Sequence, residues 1–145
     1  MKNTIIQWNC RGLEDNYSDI RLLLNEYNPA VLCLQETFLK DADNITLQNY
    51  SLFNTYFQNV DRTSEGVSVD VNNRATHNVI PLNTNLQAIA VSVALHRVIT
   101  FCSIYIPLNT NLLPNELDTL VQHFTRLLFY SGILMRIFME IKSHK

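Results

Sequence analysis

Two stretches of sequence are most informative about the fold. They are residues 5–13, IIQWNCRGL, and residues 33–38, CLQETF, which follow after a gap of helix length. Each is an apolar, strand-like run that ends in polar side chains, Asn9 in the first and Glu36 in the second. The carboxyl ends of neighbouring parallel strands meet at one edge of a sheet, where open α/β sheets bind their ligands. The sequence therefore predicts that Asn9 and Glu36 lie at the same sheet edge.

An amide beside a carboxylate, with Arg11 close by, is suited to a hard divalent cation and a phosphate group. Carboxylate oxygens are favoured ligands of Mg²⁺, which also keeps several water molecules. The planar guanidinium of arginine matches the geometry of phosphate oxygens. These residue types predict phosphoester chemistry at this edge.

A helix is predicted between the two strands. Its apolar residues recur at the spacing of one helix face: Ile20, Leu23, Leu24 and Tyr27. Asn16 or Ser18 is suited to cap the helix at its beginning. Asn28-Pro29 ends it, because a residue before proline avoids helical geometry. This β-α-β order favours a right-handed crossover between parallel neighbours.

The middle of the chain is dominated by strands. Residues 40–64 are polar and predict a loop with one short strand at 51–54, whereas residues 66–72 alternate strictly and predict a half-buried strand. Residues 87–95 and 98–106 predict a hairpin with a tight connection. This pattern excludes a simple alternating βαβα sheet and predicts an α/β sandwich with mixed sheets.

Composition and charge narrow the class of protein. A chain of 145 residues with 47% hydrophobic and 17% charged residues predicts one globular domain. The net charge of −2 argues against a broadly basic surface, so any nucleic-acid contact depends on local lysines and arginines. The three cysteines fit neither a zinc site nor a disulfide framework, and predict buried, reduced thiols in an intracellular protein.

The C-terminal part differs in character. A helical pattern begins near Pro114, but residues 127–141 are very apolar and their apolar side chains are not confined to one helical stripe. We expect a helix there with one face against the sheet, since the segment is too interrupted for a membrane span. The change near residue 123 predicts a domain over 1–122 and a divergent tail over 123–145.

Four motifs in order carry a family resemblance: WNCRG at 8–12, LQETF at 34–38, GVSV at 66–69 and SIYIP at 103–107. Together they resemble the endonuclease/exonuclease/phosphatase superfamily. They are most similar to the apurinic-type endonuclease domain of jockey-like non-LTR retrotransposons. The resemblance covers about residues 4–122 and implies an incomplete α/β sandwich of the DNase I-like type, with mixed β-sheets and flanking helices.

The resemblance also implies residue roles and partners. Glu36 would be the Mg²⁺ ligand, Asn9 would belong to the polar network around metal and scissile phosphate, and Tyr105 would hydrogen-bond the phosphate. Arg11 would pair with a phosphate. DNA would be the substrate, the remainder of a retrotransposon polyprotein would accompany the domain, and an intact element would act in the nucleus. No membrane partner is implied.

The sequence departs from the family after about residue 122. The family continues with a strand ending in Gly-Asp-Phe-Asn and finishes with Ser-Asp-His, and neither motif is present here. One interpretation is the N-terminal part of a Mg²⁺-dependent endonuclease that nicks target DNA, inactive as written. Another is a non-catalytic remnant that binds nucleic acid or protein weakly. A small-molecule phosphatase of the same superfamily is a third.

Overall fold

Two four-stranded β-sheets form the framework of the protein. The computed structural model describes residues 1–55, 66–106, 115–116 and 118–122, together with the backbone of 134–141. In chain order the elements are β1 Lys2–Asn9, α1 Tyr17–Tyr27, β2 Pro29–Gln35, β3 Tyr50–Asn54, β4 Val67–Asn72, β5 His77–Ile80, β6 Gln87–Ala94, β7 Val98–Ile106 and β8 Leu134–Ile141. The first sheet has the order β1-β2-β4-β3, and the second has the order β5-β6-β7-β8.

The opening β-α-β unit is confirmed. β1 and β2 pair in parallel, and the last residues of the two strands, Asn9 and Gln35, are register partners. Asn16 precedes α1, but its side chain does not cap a helix N–H; its amide donates instead to the carbonyl oxygens of Cys10 (2.7 Å) and Gly12 (3.1 Å). The helix ends at Asn28, which has a left-handed backbone with φ of 44°. Asn16 therefore ties the helix start to the loop that follows β1.

The main core lies between the two sheets. It combines buried side chains of β2, β4, β6 and β7, among them Val31, Val69, Val91 and Phe101. A second cluster on the outer face of the first sheet joins α1 to β2 and to residues 39–50. The first sheet is thus covered on both faces.

This double cover corrects the expectation that β4 is half-buried. All six residues of β4 are buried, including the three polar ones, Ser68, Asp70 and Asn72. The alternation of the strand is real, but its polar face lies under the outer cover of the sheet rather than in solvent. An alternating sequence shows that the two faces of a strand differ in polarity, but it does not show that the polar face is exposed to solvent.

The second sheet contains one confirmed hairpin and one short strand that was not expected. β6 and β7 pair antiparallel around residues 95–97, as predicted. The short strand β5, which pairs with β6, was not predicted.

The predicted tail helix over 127–141 is wrong in its second half. Residues 134–141 form β8, which pairs in parallel with β7 from Ile99↔Leu134 to Ile106↔Ile141. An apolar run whose residues are not confined to one helical stripe also fits a buried strand that pairs with a neighbouring strand. The division of the chain at residue 123 stays a prediction.

The outer face of the second sheet is also covered in part. Residues 115–116 and 118–122 are helical, and the buried Leu120 belongs to a cluster with Ala90, Cys102 and Ile104. This agrees with the helix predicted from Pro114 onward. Among the helices that the structure describes, none is long and apolar enough to span a membrane.

Candidate functional site

The ends of β1 and β2 bring two predicted site residues to one edge of the first sheet. Asn9 is the last residue of β1 and pairs with Gln35, the last residue of β2. Glu36 follows directly. The parallel arrangement therefore places the Asn9 amide and the Glu36 carboxylate at the same sheet edge.

The backbone keeps the two loops together beyond the strands. Cys10 N–H donates to the carbonyl oxygen of Gln35 at 3.0 Å, and Gly12 N–H donates to that of Glu36 at 2.7 Å. Both Arg11 (φ 46°) and Glu36 (φ 52°) have left-handed backbones, which costs a non-glycine residue on the order of 1–3 kcal/mol. Strained residues of this kind persist where the surrounding structure holds them, and they are enriched at functional sites.

The side chains at this edge differ in exposure. Glu36 is buried, with 3% of its surface exposed, whereas Arg11 is exposed. The Asn9 side-chain oxygen accepts a hydrogen bond from the Arg11 backbone N–H at 3.2 Å. This bond orients the Asn9 amide. The Arg11 side chain is exposed, so an incoming anion can reach it.

Tyr105 reaches the same end of the molecule from the other sheet. The Gln35 side-chain N–H donates to the Ser103 hydroxyl oxygen of β7 at 3.2 Å, so the ends of β2 and β7 face each other across the core. Tyr105 lies two residues further along β7 and is 3% exposed. Alternate residues of a strand share a face, so Tyr105 and Ser103 lie on the same side of β7.

Gly66 connects β4 to this region. Thr37 N–H donates to the Gly66 carbonyl oxygen at 3.2 Å. A Cβ atom at residue 66 would lie 2.5 Å from the Thr37 hydroxyl oxygen, and the φ of Gly66 is +115°. Both the close approach and the backbone angle require glycine at this position.

The donor set fits a divalent cation of the Mg²⁺ type. The carboxylate of Glu36 supplies oxygen atoms, and Mg²⁺ is commonly held by one or two carboxylates plus water and substrate phosphate. Within the described ranges, no group of three or more His, Cys, Asp or Glu residues is arranged to hold a metal.

Cys10 lies beside the site but is not suited to take part in it. Its thiol lies 3.5 Å from the carbonyl oxygen of Gln35 and 3.6 Å from that of Glu36, and donates to both. Burial raises the pKa of this thiol to about 12, so it is protonated at neutral pH. The thiolate is the metal-binding and nucleophilic form, and Cys10 is consequently a packing residue.

Sequence reasoning missed the pair formed by Gln35 and Ser103. Gln35 was visible as the residue before Glu36, but its partner lies 68 positions away on the other sheet. A buried strand-end amide is the signal that marks such a residue, because buried polar groups need partners. The catalytic roles of Asn9, Glu36 and Tyr105 stay predictions.

Comparison with solved structures identifies the architecture. The endonuclease domain of TRAS1, a telomere-specific non-LTR retrotransposon, matches with a TM-score of 0.66 and 14% identity over 93% of this chain and 58% of that one. The Xenopus laevis APE2 catalytic domain matches with a TM-score of 0.61 and 14% identity over 97% and 59%. D. rerio TDP2 complexed with single-strand DNA product gives 0.60 and 14% over 92% and 58%.

These likenesses show the fold, which is the predicted DNase I-like sandwich of mixed and antiparallel sheets. The chain spans less than two thirds of the length of each of these three structures. No curated protein matches the sequence significantly. The family model described as "Endonuclease/Exonuclease/phosphatase family" matches residues 6–123. The chain therefore belongs to the endonuclease/exonuclease/phosphatase family.

Proposed function

We propose that this chain carries part of a Mg²⁺-dependent DNA endonuclease site of the non-LTR retrotransposon type. The observation that carries the proposal is the buried Glu36, which follows β2 directly at the sheet edge where β1 ends in Asn9. The nuclease neighbours support the reaction class, and the neighbour solved with single-strand DNA product supports DNA as the substrate.

Each residue has a role that its position supports. Glu36 binds the cation, and the amide of Asn9 donates a hydrogen bond towards the scissile phosphate. The Tyr105 hydroxyl donates a neutral hydrogen bond to a non-bridging phosphate oxygen as negative charge develops there. Arg11, exposed beside Asn9, pairs with a neighbouring phosphate. When bound, Mg²⁺ supplies Lewis-acid polarisation of the phosphate.

We further propose that the chain as written does not nick DNA appreciably. It spans 58% of the TRAS1 endonuclease domain. Its sequence lacks the Gly-Asp-Phe-Asn and Ser-Asp-His motifs that the family resemblance leads one to expect. General acid–base assistance contributes about 10²–10⁴-fold to a rate. Loss of the groups that would supply it leaves Glu36, Asn9 and Tyr105 with binding and charge stabilisation alone.

The second candidate is a non-catalytic remnant that binds nucleic acid or protein weakly. The change of sequence character after residue 122, where the expected motifs do not follow, favours it. The net charge of −2 limits non-specific attraction to the DNA backbone, so such binding would be weak and salt-dependent. In an intact element, the remainder of the retrotransposon polyprotein would supply the other half of the site, acting in the nucleus.

A plasmid-nicking assay in Mg²⁺ tests both candidates. We expect no nicking above background for the chain as written, and Mg²⁺-dependent nicking once a segment carrying the two missing motifs is fused to it. That restored nicking should be lost in Glu36→Ala and kept in Glu26→Ala, which removes an exposed carboxylate of α1. Nicking by the chain as written that disappears in Glu36→Ala would overturn the proposal of inactivity. Nicking that survives Glu36→Ala would remove Glu36 from the site.

A further inference from the structure

The buried hydrogen bond between Gln35 and Ser103 joins the two halves of the candidate site. The first sheet contributes Asn9 and Glu36, and the second contributes Tyr105. Gln35 is the register partner of Asn9 and directly precedes Glu36, and Ser103 is two residues before Tyr105 on the same face of β7. Both partners of this hydrogen bond are 0% exposed.

This hydrogen bond contributes little net stability to the packing of the two sheets. The amide oxygen of the Gln35 side chain, Oε1, is buried and has no hydrogen-bond partner among the described residues. A buried amide with one unmet acceptor loses in desolvation much of what its single hydrogen bond gains. Apolar side chains of similar shape, such as those of Val31 and Phe101 in the same core, would hold the sheets together without that loss.

What an apolar pair would not supply is direction. Apolar contacts are non-directional, whereas a hydrogen bond between an N–H donor and a hydroxyl acceptor is strong only within a narrow range of distances and angles. A polar bond between two strand ends therefore fixes their relative position along and across the sandwich. Here it fixes the end of β2, where Glu36 begins its loop, against the end of β7, where Tyr105 lies.

We propose that Gln35 and Ser103 are positioning residues that set the placement of the Tyr105 hydroxyl relative to the cation held by Glu36. The inference rests on the proposed function, because it concerns the same cation site. The role of Gln35 and Ser103 in this proposal is indirect, because they act through the residues that follow them along the chain.

The experiment uses Tb³⁺ as a probe of the hard-cation site. Tb³⁺ prefers oxygen ligands, and its emission is sensitised by a nearby excited tyrosine or tryptophan. The contribution of Tyr105 is the emission lost in Tyr105→Phe, which separates it from any contribution of Trp8. We expect Glu36-dependent Tb³⁺ binding by the whole chain, with a measurable Tyr105 contribution.

A matched pair of substitutions isolates the hydroxyl of Ser103. Ser103→Thr keeps the acceptor, and Ser103→Val has nearly the same volume as threonine without it. We expect the Tyr105 contribution to fall at least twofold in Ser103→Val and to be retained in Ser103→Thr. Gln35→Leu combined with Ser103→Ala should lower it as much, while the thermal unfolding midpoint stays the same or rises. A purely structural pair would lower the midpoint and leave the Tyr105 contribution of the folded protein unchanged.

The failures of the two proposals are distinguishable. If Tb³⁺ binding does not depend on Glu36, the cation site is wrong and this inference falls with it. If binding depends on Glu36 but Ser103→Val keeps the full Tyr105 contribution, only the positioning role is overturned. Glu36-dependent binding with no Tyr105 contribution in the unsubstituted protein overturns it too.

Discussion

Two buried polar regions of the first sheet differ in what surrounds them. At the site end of the first sheet, where β2 ends beside Glu36, Gln35 is hydrogen-bonded to Ser103 of the opposite sheet. In the middle of the outer face, Asp70 of β4 has Leu32 and Leu52 as its register partners, and both belong to the leucine-rich cluster under α1. Ser68 donates to one oxygen of its carboxylate at 3.0 Å, and the other oxygen has no partner among the described residues.

The two regions differ in what their polar groups do. The Gln35 amide joins two strands of different sheets, whereas the Asp70 carboxyl lies buried between leucines. The Gln35 bond connects two strand ends beside the predicted site. The Ser68 bond to Asp70 lies within a single strand and connects nothing distant. We therefore expect the first region to matter for function at little cost in stability, and the second to lower stability with no gain at the site.

The largest effect expected is the dependence of stability on pH at Asp70. Burial raises the pKa of this carboxyl from 3.8 to about 8. Between these values the unfolded chain loses the proton and the folded chain keeps it, so stability falls as pH rises. We expect wild type to lose up to about 1.4 kcal/mol per pH unit relative to Asp70→Asn in this window. Chemical denaturation of both proteins at pH 5, 6, 7 and 8 measures it, and parallel profiles would contradict the buried acid.

A smaller loss of stability is expected from Gly66→Ala, which lies at the site end of the first sheet. The added Cβ would meet the Thr37 hydroxyl oxygen at 2.5 Å, and the φ of +115° is unfavourable to alanine. We expect a loss of at least about 2 kcal/mol in the free energy of unfolding. In a Thr37→Ala background the close contact is gone and the backbone angle remains, so Gly66→Ala should cost less. Equal costs in the two backgrounds would show that the angle alone requires glycine.

A moderate gain is expected from Asp70→Val at pH 7. Valine is β-branched like its neighbours Val69 and Val71, and it removes a buried carboxyl that is only partly hydrogen-bonded. We expect stability to rise by about 1–3 kcal/mol. Thermal unfolding measures the change. Ser68→Ala serves as the control, since removing the donor to Asp70 should lower stability, and a loss of stability in Asp70→Val would show that valine does not fit the space.

The smallest effect is expected when both partners at the site end are made apolar. Gln35→Leu together with Ser103→Ala should stay within about 1 kcal/mol of wild type, because no polar group is left unpaired. Ser103→Ala alone should cost more, about 1–3 kcal/mol, since it strands the Gln35 amide. Denaturant midpoints of the three proteins test this. If the double variant were less stable than Ser103→Ala alone, the expected difference between the Gln35–Ser103 pair and Asp70 would be contradicted.

Local pattern was sufficient for the first third of the chain. The spacing of apolar residues around Leu24 predicted α1, Asn28-Pro29 predicted its end, and the two flanking runs predicted the parallel strands that bring Asn9 and Glu36 together. These features depend on residues close in sequence. The family resemblance, carried by four short motifs, extended the prediction to the whole sandwich, which the matching family model and solved structures bear out.

The features that failed depend on distant parts of the chain. Nothing near Asp70 shows that α1 and residues 39–50 cover its face of β4. β5 has four residues, too few for a clear pattern. β8 is paired with β7, about 35 residues earlier, and that pairing overrides a segment whose composition predicted a helix. The bond between Gln35 and Ser103 is likewise invisible until both sheets are in place.

The strand order of the first sheet has a kinetic consequence. β4 lies between β2 and β3, and it is the described pairing partner of β3. β3 is therefore synthesised before its pairing partner β4, and it cannot form that pair until residues 67–72 have left the ribosome. The pairing of β4 with β2, which joins Val31 to Val71, is of longer range in the sequence, and pairings of that kind slow folding. We expect β1, α1 and β2 to become protected from hydrogen exchange first, and β3 only together with β4.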